Sequence, residues 1–223
     1  MRKLILLTFL FIYSISLIAR NDITKFLGIP IDGTRSEMVK KLKEKGFKVS
    51  FDDRDALKGE FNGEEVKIYI ATDNNKVWRI CVFDELTRDE EQIKIRYNKL
   101  CSQFENNEKY LAGLINDTTY IITDDEDISY NITVNKKKYN ATYFQKIDQK
   151  FLEYYYPKLI EVKNKESEQL TEEEISILYS DTLKMYENLS NKMVWFIIDE
   201  YGSGYRILMY YDNLYNRSNG EDL

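Results

Sequence analysis

Apolar and polar positions alternate along much of this chain with a period of two, broken by a few stretches of helical period. Phe47, Val49 and Phe51 alternate, and residues 57–61 and 66–71 form two further runs on either side of Asn62-Gly63. Residues 77–83 carry Trp78, Ile80 and Val82 on one predicted face. Such alternation is the mark of a strand with one face buried, and an Asn-Gly pair between two strands is a tight hairpin because both residues tolerate positive φ. Helical spacing appears instead at Met38, Val39 and Leu42, and over residues 89–104, where Ile93, Tyr97, Leu100, Cys101 and Phe104 share a side. The first half therefore reads helix, strand, hairpin, strand, helix.

The second half echoes this order. Residues 119–123 predict a short strand, and residues 128–134 and 139–144 predict a hairpin around Asn135-Lys-Lys. A weak helix is expected over 144–156, stopping at Pro157, with a charged loop or solvated helix end over 161–169. Thr171 and Glu174 form a capping box that opens a helix through Ile175, Leu178, Leu183 and Met185 to about Glu187. Residues 193–199 and 205–211 are almost continuously apolar and aromatic, which predicts two central strands joined by residues 200–204.

Local punctuation is densest at residues 26–47. Pro30 allows only a short extended piece, Asp32-Gly33 makes a turn, and Thr34 with Glu37 forms a capping box. Gly46 then ends the helix, because glycine enters the left-handed region without steric cost. The expected fold class is α+β, with short helices packed on antiparallel meander sheets. Two related units are expected, over residues 20–112 and 113–223, either side by side or sharing one sheet.

Residues 1–19 precede them as a predicted signal peptide. Arg2 and Lys3 lead an apolar run over 4–13, and a more mixed segment ends at Ala19. Cleavage there leaves 204 residues and takes the formal charge from −6 to −8, since only Arg2 and Lys3 are charged in the removed piece. No later apolar run reaches membrane length, so no membrane span is expected after cleavage and the location is periplasmic or secreted. The acidic balance offers no electrostatic reason for a nucleic-acid partner.

Candidate chemistry narrows quickly. With no histidine in the chain, the Ser-His-Asp and Cys-His arrangements and the usual zinc ligand sets are excluded. Gly202-Ser-Gly204 lies between two strands with no helix after it, so it is a turn rather than a phosphate loop, and no cofactor is implied. Carboxylates cluster at Asp52, Asp53 and Asp55, at Asp124, Asp125, Glu126 and Asp127, and at Asp199 and Glu200. Solvated turns are the plain reading; Asp124, Asp125 and Asp127 are also candidates for a weak cation site. Cys81 and Cys101 have two readings: a disulfide permitted outside the cytoplasm, or two buried thiols. Among the 18 tyrosines, Tyr201, Tyr205, Tyr211 and Tyr215, together with Trp78, are the candidate binding residues, since amphipathic rings suit a protein interface or a glycan.

The pattern Phe26-Leu-Gly-Ile-Pro-Ile-Asp-Gly-Thr34 with Leu42-Lys-Glu-Lys-Gly-Phe47, and again residues 210–223, resembles uncharacterised exported proteins of Bacteroides and Prevotella-like bacteria. The first of these also resembles small periplasmic α+β modules of the outer-membrane assembly lipoprotein and β-lactamase-inhibitor type. The resemblance implies a cell-envelope location. The leading expectation is a non-enzymatic protein-binding role with an envelope protein, marked by an exposed patch containing Trp78, Tyr205 or Tyr211. The alternatives are an envelope enzyme acting on glycans, which needs Asp199 or Glu200 to face another carboxylate across a cleft, and a purely structural envelope protein with neither.

Overall fold

The computed structural model describes residues 22–113, 120–163 and 170–218, so the predicted signal peptide lies outside the described residues. Ten strands form among the described residues: β1 (Lys25–Phe26), β2 (Ile29–Pro30), β3 (Lys48–Val49), β4 (Leu57–Phe61), β5 (Glu64–Asp73), β6 (Lys76–Asp84), β7 (Tyr110–Ala112), β8 (Asn140–Gln145), β9 (Met193–Tyr201) and β10 (Gly204–Asp212). The first two make a small separate pair. The other eight form one antiparallel sheet in the order β3-β4-β5-β6-β10-β9-β8-β7. The last hairpin, β9 and β10, lies at its centre. Pairing of Met209 with Val82 and Tyr211 with Ile80 joins the two halves into one sheet. This explains the near-continuous apolar character of β9 and β10, whose neighbours press on both edges and whose faces both carry large side chains.

Two helices cover one face. Helix α1 (Arg35–Glu44) has the expected capping box at Thr34 and Glu37, and it buries Met38 and Leu42 against β5 and β6. Gly46 follows at φ +101°. Helix α2 (Glu90–Glu105), capped by Asp89, buries Ile93, Tyr97, Leu100, Cys101 and Phe104 and packs on β10 and β7. Under them lie Val66 and Ile68 of β5, Ile80 and Val82 of β6, Ile207, Met209 and Tyr211 of β10, and Val194 and Phe196 of β9 in one continuous core. Buried charge beside it is paired: Arg96 and Arg88 both donate to Asp84, whose carboxylate is buried. The turn at Asn62 (φ 55°) and Gly63 (φ 76°) takes both central residues into positive φ, as the hairpin signal requires.

Several expectations need correction. Residues 128–134 do not form a strand; Ile128–Thr133 is helix α3, because the Asp127 side chain accepts from the Tyr130 amide and caps it. Residues 120–123 form no strand among the described residues. The Asn98 side chain holds Ile122, accepting from its amide at 2.9 Å and donating to its carbonyl at 2.7 Å; residue 119 lies outside the described residues. The segment expected as helix from 144 begins as β8, and helix α4 (Gln149–Tyr155) starts only after the Asp148 cap. Pro157 does end that helix, and it then opens α5 (Pro157–Lys163) where the missing amide hydrogen costs nothing; the rest of the charged region, 164–169, lies outside the described residues. The Thr171 capping box opens α6 (Glu172–Ser190), which continues three residues past the expected end. Val77 pairs with Thr72 and Arg79 with Ala71, so Trp78 is the extra residue of a bulge and leaves the alternation it was expected to share with Ile80. Strand β3 stops at Val49, and Phe51 is fully exposed. Among the described residues no helix is long and apolar enough to cross a membrane.

Candidate functional site

The same registers that place the core on one face of the sheet place a second set of rings on the other. Tyr69 lies opposite Cys81, Cys81 opposite Tyr210, and Tyr210 opposite Trp195, a row across β5, β6, β10 and β9. The next row holds Lys67, Phe83, Leu208 and Ile197. Directly opposed side chains on an antiparallel pair sit within contact distance, so the rows pack as ladders. Tyr69, Phe83, Trp195, Ile197 and Tyr210 are all half-buried.

The rings are held in fixed positions. Trp195 stacks on Tyr210 with centroids 4.2 Å apart and planes 23° apart. Phe83 bridges Tyr69 at 5.2 Å and Tyr210 at 6.0 Å. The Arg79 guanidinium lies 4.3 Å from the Trp78 ring, 5.0 Å from Tyr210 and 5.3 Å from Trp195. Its charge is met by Asp212, a fully buried carboxylate that accepts from Arg79 Nε and Nη2, each at 2.6 Å, and from Trp195 Nε1 at 3.1 Å. Arg206 repeats the device, donating to Asp199 at 3.0 Å while lying 3.7 Å from the Tyr201 ring. At the β5 edge Tyr69 donates to Asp53 at 2.9 Å, and Lys67, followed by Ser50, holds the Asp52 carboxyl well below the usual range.

Two of the arginines here are neutralised, Arg79 by Asp212 and Arg206 by Asp199. One face each of Trp195 and Tyr210 is taken by their mutual stack, and the Arg79 guanidinium lies near both. Bidentate pairing and stacking remove rotamer freedom in advance, so little ordering remains to be done on contact.

The sequence-predicted site residues divide between the two sides of the sheet. Trp78 lies between Arg79 and Arg217, and Tyr201, 54% exposed, lies at the turn under Arg206. Tyr205 and Tyr211 occupy the alternate positions of β10 and face the core. Tyr205 packs against it, its backbone bridging to Arg88. Tyr211 is 4% exposed, and burial pushes its hydroxyl far above the ordinary tyrosine range. Of the three rings expected to mark an exposed patch, Tyr211 is buried, Tyr205 is half-buried against the core and Trp78 is half-buried beside Arg79. Tyr215 sits away from both, donating to Asn188.

The acidic turn is engaged within the chain. Asp127 caps α3, Asp125 is held by the Thr123 hydroxyl, and Glu126 accepts from Lys137 and Tyr139. Among the described residues no cluster of three or more His, Cys, Asp or Glu side chains could hold a metal. The disulfide reading is corrected too. Cys81 lies on the open face and Cys101 in α2 on the helical face, so the sheet separates two free thiols. Burial raises the first to about 11 and the second to about 12.

Sequence reasoning missed Arg79, Trp195, Arg206, Tyr210 and Asp212. The sequence shows that Trp195, Ile197 and Asp199 share a parity on β9, as Arg206, Leu208, Tyr210 and Asp212 do on β10, without showing which set faces the helices. Comparison of the chain with protein-family models, with curated proteins and with solved structures returns no match.

Proposed function

We propose that this chain is an exported, non-enzymatic binding protein of the cell envelope whose open sheet face docks a partner protein. One observation carries the reading: the Trp195–Tyr210 stack with Arg79 against it, held by Asp212 on the half-buried side of the sheet opposite α1 and α2. Tryptophan, tyrosine and arginine are the residues that dominate interface energetics, and a pre-ordered cluster loses little entropy on binding. A protein fits better than a glycan. A sugar stacks on a free ring face, whereas here the rings stack on one another and on the guanidinium groups. The apolar run that opens the chain supports export.

The carboxylate-enzyme alternative needs an acid pair across a cleft. Asp199 is instead bonded to Arg206, and Glu200 is exposed beside Tyr201 with no carboxylate bonded to it among the described residues. A photo-crosslinking amino acid placed at Tyr201, on the open face, is expected to yield one discrete adduct in envelope extract. The same group at Lys41, exposed on α1, is expected to yield none. Equal labelling from both positions contradicts the proposal.

A further inference from the structure

On the helical side of the sheet, remote from the open face, lies a cleft of about 1210 Å³. Leu100 and Phe104 of α2 and Met209 and Tyr211 of β10 form its floor, and Leu27, Phe61 and Tyr110 stand higher on its walls. One end is basic, although the chain as a whole is acidic. Lys25, Lys109, Lys146 and Lys192 all line it, and they converge because the end of β8 ties their backbones together. The Gln145 side chain accepts from the Lys25 amide at 2.8 Å and donates to its carbonyl at 2.6 Å. The Gln145 amide donates to the Lys192 carbonyl at 3.0 Å and the Lys146 amide to the Lys109 carbonyl at 2.8 Å.

Two carboxylates share this end, and both are engaged. Asp22 accepts from the buried Lys192 ammonium at 2.6 Å and from the Asp148 amide at 2.7 Å, while Asp148 caps α4. Lys192 also donates to the Lys146 carbonyl at 2.8 Å. Burial lowers its proton affinity, Asp22 opposes that, and neighbouring Lys25 lowers it further, a sign of crowded positive charge. Lys25, Lys109 and Lys146 are exposed and make no ion pair among the described residues. Glu60 and Glu108 also line the cleft, Glu108 directly before Lys109 in the chain.

We infer that this cleft binds an anionic amphiphile, with a phosphate or carboxylate headgroup held by Lys25, Lys109 and Lys146 and an apolar body lying over Leu27, Phe61 and Tyr110. Three unpaired ammonium groups beside an apolar wall supply both halves of that recognition, and the buried Asp22–Lys192 pair keeps the end of the cleft in place. This site shares no residue with the open face, so either assignment can fail alone.

The test is calorimetric titration of the folded protein with dodecyl phosphate below its micelle concentration. The expected result is saturable one-to-one binding that weakens with added salt. Dodecyl maltoside and inorganic phosphate should each bind at least about tenfold more weakly. The double variant Lys109→Gln with Lys146→Gln, both exposed, is expected to keep its thermal melt and lose about tenfold in affinity for dodecyl phosphate. Equal affinity for dodecyl maltoside or for inorganic phosphate overturns the inference, as does undiminished affinity in the double variant. Co-sedimentation with phosphatidylglycerol vesicles separates the sources: vesicle binding together with dodecyl phosphate binding assigns a membrane lipid, dodecyl phosphate binding alone assigns a soluble amphiphile, and binding of neither overturns the site.

Discussion

Replacing Asp212 with alanine removes the carboxylate on which the open face is assembled. Its side chain is fully buried, while that of Arg79 is 19% exposed. Stripping one partner from a buried ion pair costs about 3–5 kcal/mol, because the remaining charge stays desolvated. The partial exposure of Arg79 places this case at the lower end, and the lost bond from Trp195 adds about 1 kcal/mol. Asp212→Ala should therefore lose about 4 kcal/mol, which for a chain of this size corresponds to a fall in Tm of roughly 10 °C. Urea denaturation followed by circular dichroism measures the loss. Tryptophan emission reports the site directly, since the chain has two tryptophans and Arg79 lies over both. Asp212→Asn keeps an acceptor for Trp195 and should fall between. In the double variant with Arg79→Met the two losses should not add, because the orphaned charge is gone. A loss below about 1 kcal/mol for Asp212→Ala would mean that the pair behaves as an exposed surface ion pair and would refute the reasoning.

The thiols give a pH prediction. A raised pKa leaves less thiolate at any given pH, so alkylation of Cys81 should still be rising steeply through pH 9 and reach its half-maximal rate only near 11; a half-maximal rate near 9 would contradict its burial. Mass spectrometry without reductant should find both cysteines free. Gly46→Val should destabilise by about 2 kcal/mol through backbone strain alone, because a Cβ there meets nothing within 4 Å; an unchanged urea midpoint would show that the chain relaxes out of φ +101°. Thr34→Ala removes the cap that accepts from the Glu37 amide and should cost about 1 kcal/mol in the same assay.

The first half of the fold was legible because its signals are local. The capping box at Thr34 and Glu37, the stop at Gly46 and the turn at Asn62-Gly63 each depend on a few adjacent residues whose conformations only certain side chains permit. Ile128, Tyr130, Ile132 and Val134 misled because they alternate as a strand would. A short helix buries Ile128 alone, and the Asp127 cap decides the outcome. The candidate site was hidden for a different reason. On β9 and β10 both faces carry large apolar groups, so hydropathy holds no contrast from which to read parity, and Tyr205 and Tyr211 could not be told from Tyr210. Only the pairing of β10 with β6 shows which set faces the helices, and that pairing spans more than a hundred residues of sequence. Asp212 was invisible on the same grounds, since an acid at a strand end reads as solvent-exposed until its arginine is known.

The central claim is that the open face binds a protein, and quantitative co-purification from envelope extract tests it most directly. The mature chain should recover one partner at fixed stoichiometry, and the Tyr201→Ala and Trp195→Ala variants, folded by circular dichroism, should lose it, while Lys41→Glu on α1 retains it. Recovery of monomer alone, or of a partner that all three variants retain equally, would contradict the account.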